Sequence, residues 1–141
     1  MKEKIINREN FSVLKGEIVD APRVLVLDDD PILIKSISRL AKKHKIPMTA
    51  IGSIEELKKL EDSEPFDVAL IDYYLDDIRG TDVAAALGAT PVVMMSAQSA
   101  ECLEDNEEWP ATVRKFVNKD AGIEHALTMA LQVGHTNREL K

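Results

Sequence analysis

Several things are scarce in these 141 residues, and each scarcity closes off a class of function. There is one cysteine, Cys102, so no disulfide can form within the chain and no cysteine-based zinc site can be built. Aromatic residues make up only 4%, so Ile, Leu, Val, Ala and Met must fill the core. Net basic charge is absent: 18 Lys and Arg stand against 25 Asp and Glu, a balance of −7. An acidic surface is a poor match for a phosphate backbone, which argues against DNA or RNA as the direct partner. No apolar run approaches the roughly 20 residues a membrane span needs, and the opening MKEKIINRENFSVLKGE is too broken by charge to serve as a signal peptide. The expectation is a soluble protein of a reducing compartment, cytoplasmic. Internal repeats and low-complexity segments are missing as well.

What is present is an alternation. Val24–Leu27 is apolar at every position, as a strand buried on both faces must be. From Pro31 to Lys45, apolar residues Leu33, Ile37, Leu40 and Ala41 fall at helical spacing. Met48–Ile51 is a short second strand. Ser53 followed by Glu56 forms a capping-box pattern that opens a helix ending near Leu60. Phe66–Ile71, Pro91–Met95 and Val113–Val117 are strands three to five, with a helix at Thr81–Leu87, a mediocre acidic helix between Ser99 and Glu108, and a last helix over 121–133. Strands alternating with helices predict an α/β domain with a parallel sheet covered on both faces. The simplest arrangement of five such units is the flavodoxin-like order 2-1-3-4-5. The domain is expected over residues 23–133. An extension, 1–22, precedes it and packs on the domain or on a second copy. A tail, 134–141, follows, too short for an output domain.

The chemistry sits at the strand ends. RVLVLDDDP runs a strand straight into Asp28, Asp29 and Asp30. At an effective dielectric near 20 and ~6 Å separation, each pair of like charges costs roughly 2–3 kcal/mol before solvent relaxes it. Strand three ends at Asp72, beside strand one in the 2-1-3-4-5 order, so Asp28, Asp29 and Asp72 converge at the switch point where such sheets bind ligands. A hard divalent cation such as Mg²⁺, which prefers oxygen ligands, would offset their repulsion. Strand four brings the Ser96 hydroxyl to the same rim and strand five the Lys119 ammonium. Acids, a cation, a hydroxyl and a lysine suit phosphoryl transfer to a carboxylate.

In their order and spacing, VLVLDDDP, FDVALIDYYLDDIRG, PVVMMSA and VRKFVNKDA resemble the receiver domain of two-component response regulators, over about residues 23–133. The resemblance implies that Asp72 accepts phosphate from a histidine kinase or phosphotransferase. It implies that Asp29 binds Mg²⁺ directly, that Asp28 acts largely through water, and that the Tyr74 carbonyl is a further metal ligand. It makes Ser96 the switch hydroxyl, Lys119 the phosphoryl-binding lysine, Phe116 the switch aromatic and Gly80 the loop glycine. Tyr74 and Gln98 would influence the lifetime of the phosphate. Two departures stand out. Asp76, followed by Asp77, occupies a position where the family often has proline. Only ten residues separate Gly80 from Pro91, which clips the third helix.

A single-domain regulator would signal by contact with a downstream protein, and a homodimer is possible. A phosphorylation-independent interaction module is the alternative, and a phosphohydrolase using Asp28 and Asp30 a remoter one. The histidines are far apart and read as surface or packing residues. Trp109, beside Pro110, reads as local packing. Asp30 directly precedes Pro31, a residue favoured at the first helical position, so it reads as the cap of helix one rather than a third metal acid. Asp30→Ala is therefore expected to cost about 1 kcal/mol of stability while leaving Mg²⁺ affinity near that of the unsubstituted protein. Asp29→Ala should lose the affinity. Calorimetric titration separates the two, and equal losses would overturn this division of the triplet.

Overall fold

The computed structural model describes residues 20–60, 65–75, 78–97 and 109–139. The expected helix at 99–108, Cys102, Gln98, the Asp76–Asp77 pair and the extension up to Val19 lie outside these residues. Five strands, β1 Val24–Leu27, β2 Met48–Ile51, β3 Val68–Asp72, β4 Val92–Ser96 and β5 Val113–Asn118, form one parallel sheet in the order β2-β1-β3-β4-β5. The helices α1 Pro31–Lys43, α2 Ile54–Lys58, α3 Gly80–Ala86 and α4 Ile123–Glu139 connect and cover it. None of the described helices is long and apolar enough to cross a membrane.

The unbroken apolar runs of the central strands follow from burial on both faces. Every residue of β1, β3 and β4 is buried. Val24, Val26, Val68, Leu70, Val93 and Met95 point to one side, where they meet Ile37 and Ala41 of α1 and Leu127, Ala130 and Leu131 of α4. Leu25, Leu27, Ala69, Ile71, Val92 and Met94 point to the other, against Val83 and Ala84 of α3. Successive residues alternate faces, so a period of two is hidden inside a continuous hydrophobic run. β2 and β5, the edges, are only partly buried. A bulge sits between β4 and β5, where Val92 pairs with Val113 but Val93 pairs with Lys115.

Helix boundaries differ from expectation for identifiable reasons. α1 stops at Lys43 rather than Lys45. Lys45 turns left-handed (φ 59°), its amide donates to the Lys42 carbonyl, and the Ile46 amide donates to the Ala41 carbonyl at 2.9 Å. That pair of bonds is a Schellman closure, here with lysine where glycine is usual. α2 opens on the expected capping box: Ser53 Oγ accepts from the Glu56 amide, and Glu56 Oε1 accepts from Gly52 N and Ser53 Oγ. α2 itself ends at Lys58, and a turn carries the chain to Leu60. β3 begins two residues later than expected and takes in Asp72. α3 has seven residues, short as its spacing implied.

The largest difference is at the end. α4 continues to Glu139, so residues 134–139 are helix rather than tail. Packing explains this, because Gly134 lies against Pro22 and Val68, and Arg138 holds Asp20 through its carbonyl (2.8 Å) and carboxylate (3.0 Å). A Cβ at Gly134 would come within 2.8 Å of Pro22 Cβ and 2.9 Å of Val68 Cγ1. Alanine favours a helix interior over glycine by about 1 kcal/mol, whereas overpacking costs about 1–3 kcal/mol. Gly134→Ala is thus expected to lower stability in urea unfolding, against helix propensity. A rise in stability would show that the Pro22 contact is loose.

Candidate functional site

Register brings the acids together. Leu27 pairs with Ile71, so the next residues along the two strands, Asp28 and Asp72, stand side by side. Met95 pairs with Asp72, and Ser96 with Asn118, which puts Ser96 and Lys119 on the same rim. Asp28, Asp72 and Ser96 are buried. Lys119 begins a short 3-10 turn, and Asn118 caps that turn by accepting from the Asp120 amide.

Lys119 joins the cluster. Its Nζ lies 2.7 Å from Asp28 Oδ2 and 3.2 Å from Asp72 Oδ2. The other Asp28 oxygen accepts from the Asp30 amide at 2.8 Å. Asp72 Oδ1 takes a longer bond, 3.4 Å, from the Tyr74 amide. Carboxylate oxygens of Asp28, Asp29 and Asp72 all lie within 4.8 Å of one another. Such an all-oxygen, multiply anionic set fits a hard divalent cation. A recess of about 210 Å³, lined by Asp29, Leu27, Gly52, Ser53, Leu75 and Ile78 among others, opens beside Asp29. Asp30 stands apart: it is exposed, and its Oδ1 accepts from the Ile32 amide at 3.0 Å as the cap of α1. It makes no acid pair with Asp28, which removes the basis for a phosphohydrolase built on those two residues.

Electrostatics follow from this geometry. Burial, and then the charge of Asp28, push the Asp72 carboxyl up to about 6, against the pull of Lys119 and the Tyr74 amide. Burial alone would lower the Lys119 ammonium. Its hydrogen bond to Asp28 and the charges of Asp72 and Asp28 outweigh that and hold it above its usual value. The pocket therefore carries more negative charge than one lysine can offset.

Gly80 permits the close approach of α3. Its amide donates to the Tyr73 carbonyl at 2.7 Å, and a Cβ there would sit 2.5 Å from the Asp72 carbonyl oxygen and 2.7 Å from Met94 Sδ. Tyr74 bridges back to Arg79, closing the loop between β3 and α3. An aromatic cluster that sequence spacing could not reveal stands behind this loop. Tyr73, fully buried, stacks on Trp109 at 5.7 Å between ring centroids, and Trp109 packs on Phe116 at 5.8 Å. Arg79 donates to Tyr73 Oη at 2.8 Å and lies over both tyrosine rings. Trp109 is thus local packing, as expected, but its partners are the residue after Asp72 and the expected switch aromatic.

Comparison with known proteins agrees with this geometry. The family model of the response regulator receiver domain matches residues 24–131. The chain is 29% identical over 103 residues to the transcriptional activator protein PfeR of Pseudomonas aeruginosa, covering 71% of this chain and 33% of that protein. It is 29% identical over 89 residues to the sensor protein TorS of Escherichia coli, covering 62% of this chain and 10% of that protein. The chain thus spans a third or less of these curated relatives. Among solved structures, a CheY-like receiver domain protein from Methanospirillum hungatei superposes with a TM-score of 0.73 at 16% identity, covering 86% of this chain and all of that one. The receiver domain of Francisella response regulator 1452 gives 0.65 at 22% identity, covering 85% and 99%. At these identities the structural likeness speaks to the fold.

A pH dependence follows. Above pH 6 the folded protein must ionise Asp72 at a cost, up to about 3 kcal/mol for a pKa raised from 3.8 to about 6. The cost is fully present above that folded value and fades as pH falls from 6 towards 3.8, because the folded state then binds a proton that the unfolded state does not. Without divalent cations, Asp72→Asn should raise Tm at pH 7.5, and the gain should shrink towards pH 4. Equal gains at both pH values would mean that Asp72 ionises normally.

Proposed function

The chain belongs to the response regulator receiver family, and from that premise we propose that it accepts a phosphoryl group on Asp72 from a histidine kinase or phosphotransferase. On this reading Mg²⁺ is held by Asp28, Asp29, Asp72 and the Tyr74 carbonyl, and the signal passes on by protein–protein contact. The observation that carries the proposal is the cluster itself: three carboxylates within 4.8 Å, tied to one lysine that reaches both Asp28 and Asp72. A structural role alone gives no reason to collect excess negative charge beneath an open rim.

The reaction assigns work to each side chain. An Asp72 carboxylate oxygen attacks phosphorus as the P–N bond of the donor phosphohistidine breaks. The bonding pair leaves with the imidazole, which takes up a proton. Mg²⁺, when bound, offsets charge on the phosphoryl oxygens and favours the ionised form of Asp72. Lys119, already between Asp28 and Asp72, serves a phosphoryl oxygen as a charged donor, and the Ser96 hydroxyl serves another. Asp28 positions Lys119 through the 2.7 Å contact. Phe116 is the aromatic whose packing on Trp109 would respond to a change at Ser96.

The short α3 favours a second reading, a receiver-like module that binds partners without phosphate, because a partner surface built on that helix is reduced. One experiment addresses both. Incubation with Mg²⁺ and acetyl phosphate should add one phosphoryl mass to the unsubstituted protein and none to Asp72→Asn. A folded protein that gains no mass, and whose Asp72→Asn form keeps normal partner binding in cells, would support the second reading.

A further inference from the structure

At the end of the sheet away from the acids, β5 and α4 flank an open recess of about 320 Å³. Pro91, one of its lining residues, directly precedes β4, and Ser96 at the other end of that strand stands on the acidic rim. At about 3.3 Å per residue, the two places are roughly 15 Å apart. The volume sits at the lower end of small-molecule pockets, roughly 300–1,000 Å³. It matches about ten water-sized groups at about 30 Å³ each.

The β5 bulge builds one wall of this recess. Val113 and Phe116 pack on the α3 side of the sheet, and Val117 packs on the α4 side. Counted back from Val117, Lys115 faces α4. Counted forward from Val113, Arg114 faces α4 as well. A regular strand would put these neighbours on opposite faces. Here the register slips between Val92 and Val93, Arg114 has no partner on β4, and both cations line the recess. Re-aiming a side chain is a common use of a bulge. Lysines and bulges also protect an edge strand from pairing with another, but that protection asks for no hollow beneath the cations. The other wall is α4, where Gln132, Val133, Thr136 and Asn137 share one helix face. Asn137 is fixed there by donating to the Asp67 carbonyl at 3.2 Å. Pro91 and Val133, both buried, give an apolar floor. No acid is among the described lining residues, in a protein of net charge −7. Neither cation ion-pairs with a described residue.

We propose that this recess binds a small organic anion, a carboxylate or phosphate ester with an apolar body of about ten non-hydrogen atoms, at a site separate from the acidic pocket. The Arg114 guanidinium presents a fork of donors to two anionic oxygens, and Lys115 adds a point charge. Gln132 and Thr136 serve the polar atoms that remain, and the apolar body rests on Pro91 and Val133. A nucleic acid needs a longer basic track than two cations on an acidic chain.

The test titrates the isotope-labelled full chain, free of divalent cations, with benzoate, with phenyl phosphate and with neutral benzamide, and follows the backbone amides by NMR. The signals of Arg114, Lys115, Gln132 and Thr136 should shift and saturate with at least one of the two anions, in the millimolar range that so few ligand atoms support. The tighter of the two tells carboxylate from phosphate. Benzamide, the uncharged match of benzoate, should bind at least about ten-fold more weakly than the tighter anion. Arg114→Gln with Lys115→Gln, both on exposed residues, should weaken anion binding by a similar factor while the rest of the spectrum stays in place. Thr136→Trp should block both anions by filling the recess, with the two cations kept. Saturation by neither anion, equal affinity for benzamide, or shifts that survive the double substitution would each overturn the proposal. Self-association through Arg114 and Lys115, read by sedimentation and lost in the double variant, would overturn it too, because a second copy would then fill the recess.

Discussion

Lys119 is the residue on which the acidic end of this sheet depends. Asp28 and Asp72 are both buried, and the register of β1 against β3 leaves them no freedom to separate. Two buried carboxylates side by side are tolerable only with a cation between them or a proton on one. The structure uses both remedies in part. Lys119 reaches Asp28 at 2.7 Å and Asp72 at 3.2 Å, and the Asp72 carboxyl is still pushed up to about 6. Asp29, at the edge of the same cluster, adds charge that the lysine does not meet. The pocket is therefore short of positive charge in a defined place, and both the metal reading and the phosphoryl reading grow from that deficit.

The rest of the molecule arranges the deficit. Parallel strands end together, so residues at or just past the ends of four different strands share one rim. The α1 cap removes Asp30 from the cluster, and the Asp30 amide in turn fixes Asp28 by hydrogen bonding its Oδ1. Gly80 lets α3 start against the Asp72 backbone, which holds the loop carrying Tyr74. The aromatic stack from Tyr73 through Trp109 to Phe116 then joins the residue after Asp72 to β5, two strands away. A change at Asp72 has a packed route to the far edge of the sheet.

Much of this was legible in the sequence because it rests on local rules. Fully apolar runs marked the central strands, alternation with helices implied the strand order, and acids directly after those runs marked the rim. Asp30 before Pro31 separated the helix cap from the two pocket acids without any tertiary information. The misses are mostly non-local, with one local exception. Lys45 ends α1 through a left-handed turn that glycine usually makes, so composition gave no warning. α4 outlasts its apolar stripe because Gly134, Asn137 and Arg138 are held by Pro22, Asp67 and Asp20, all distant in sequence. The stacking of Trp109 on Tyr73 joins residues 36 positions apart, with no periodicity to signal it.

The most direct test is a pH titration of the Asp72 side-chain carboxyl by carbon-detected NMR, with and without Mg²⁺. The account predicts a metal-free midpoint near 6 that moves to lower pH as Mg²⁺ is added, since a bound cation favours the carboxylate. An Asp72 that titrates in the ordinary aspartate range and ignores Mg²⁺ would contradict it.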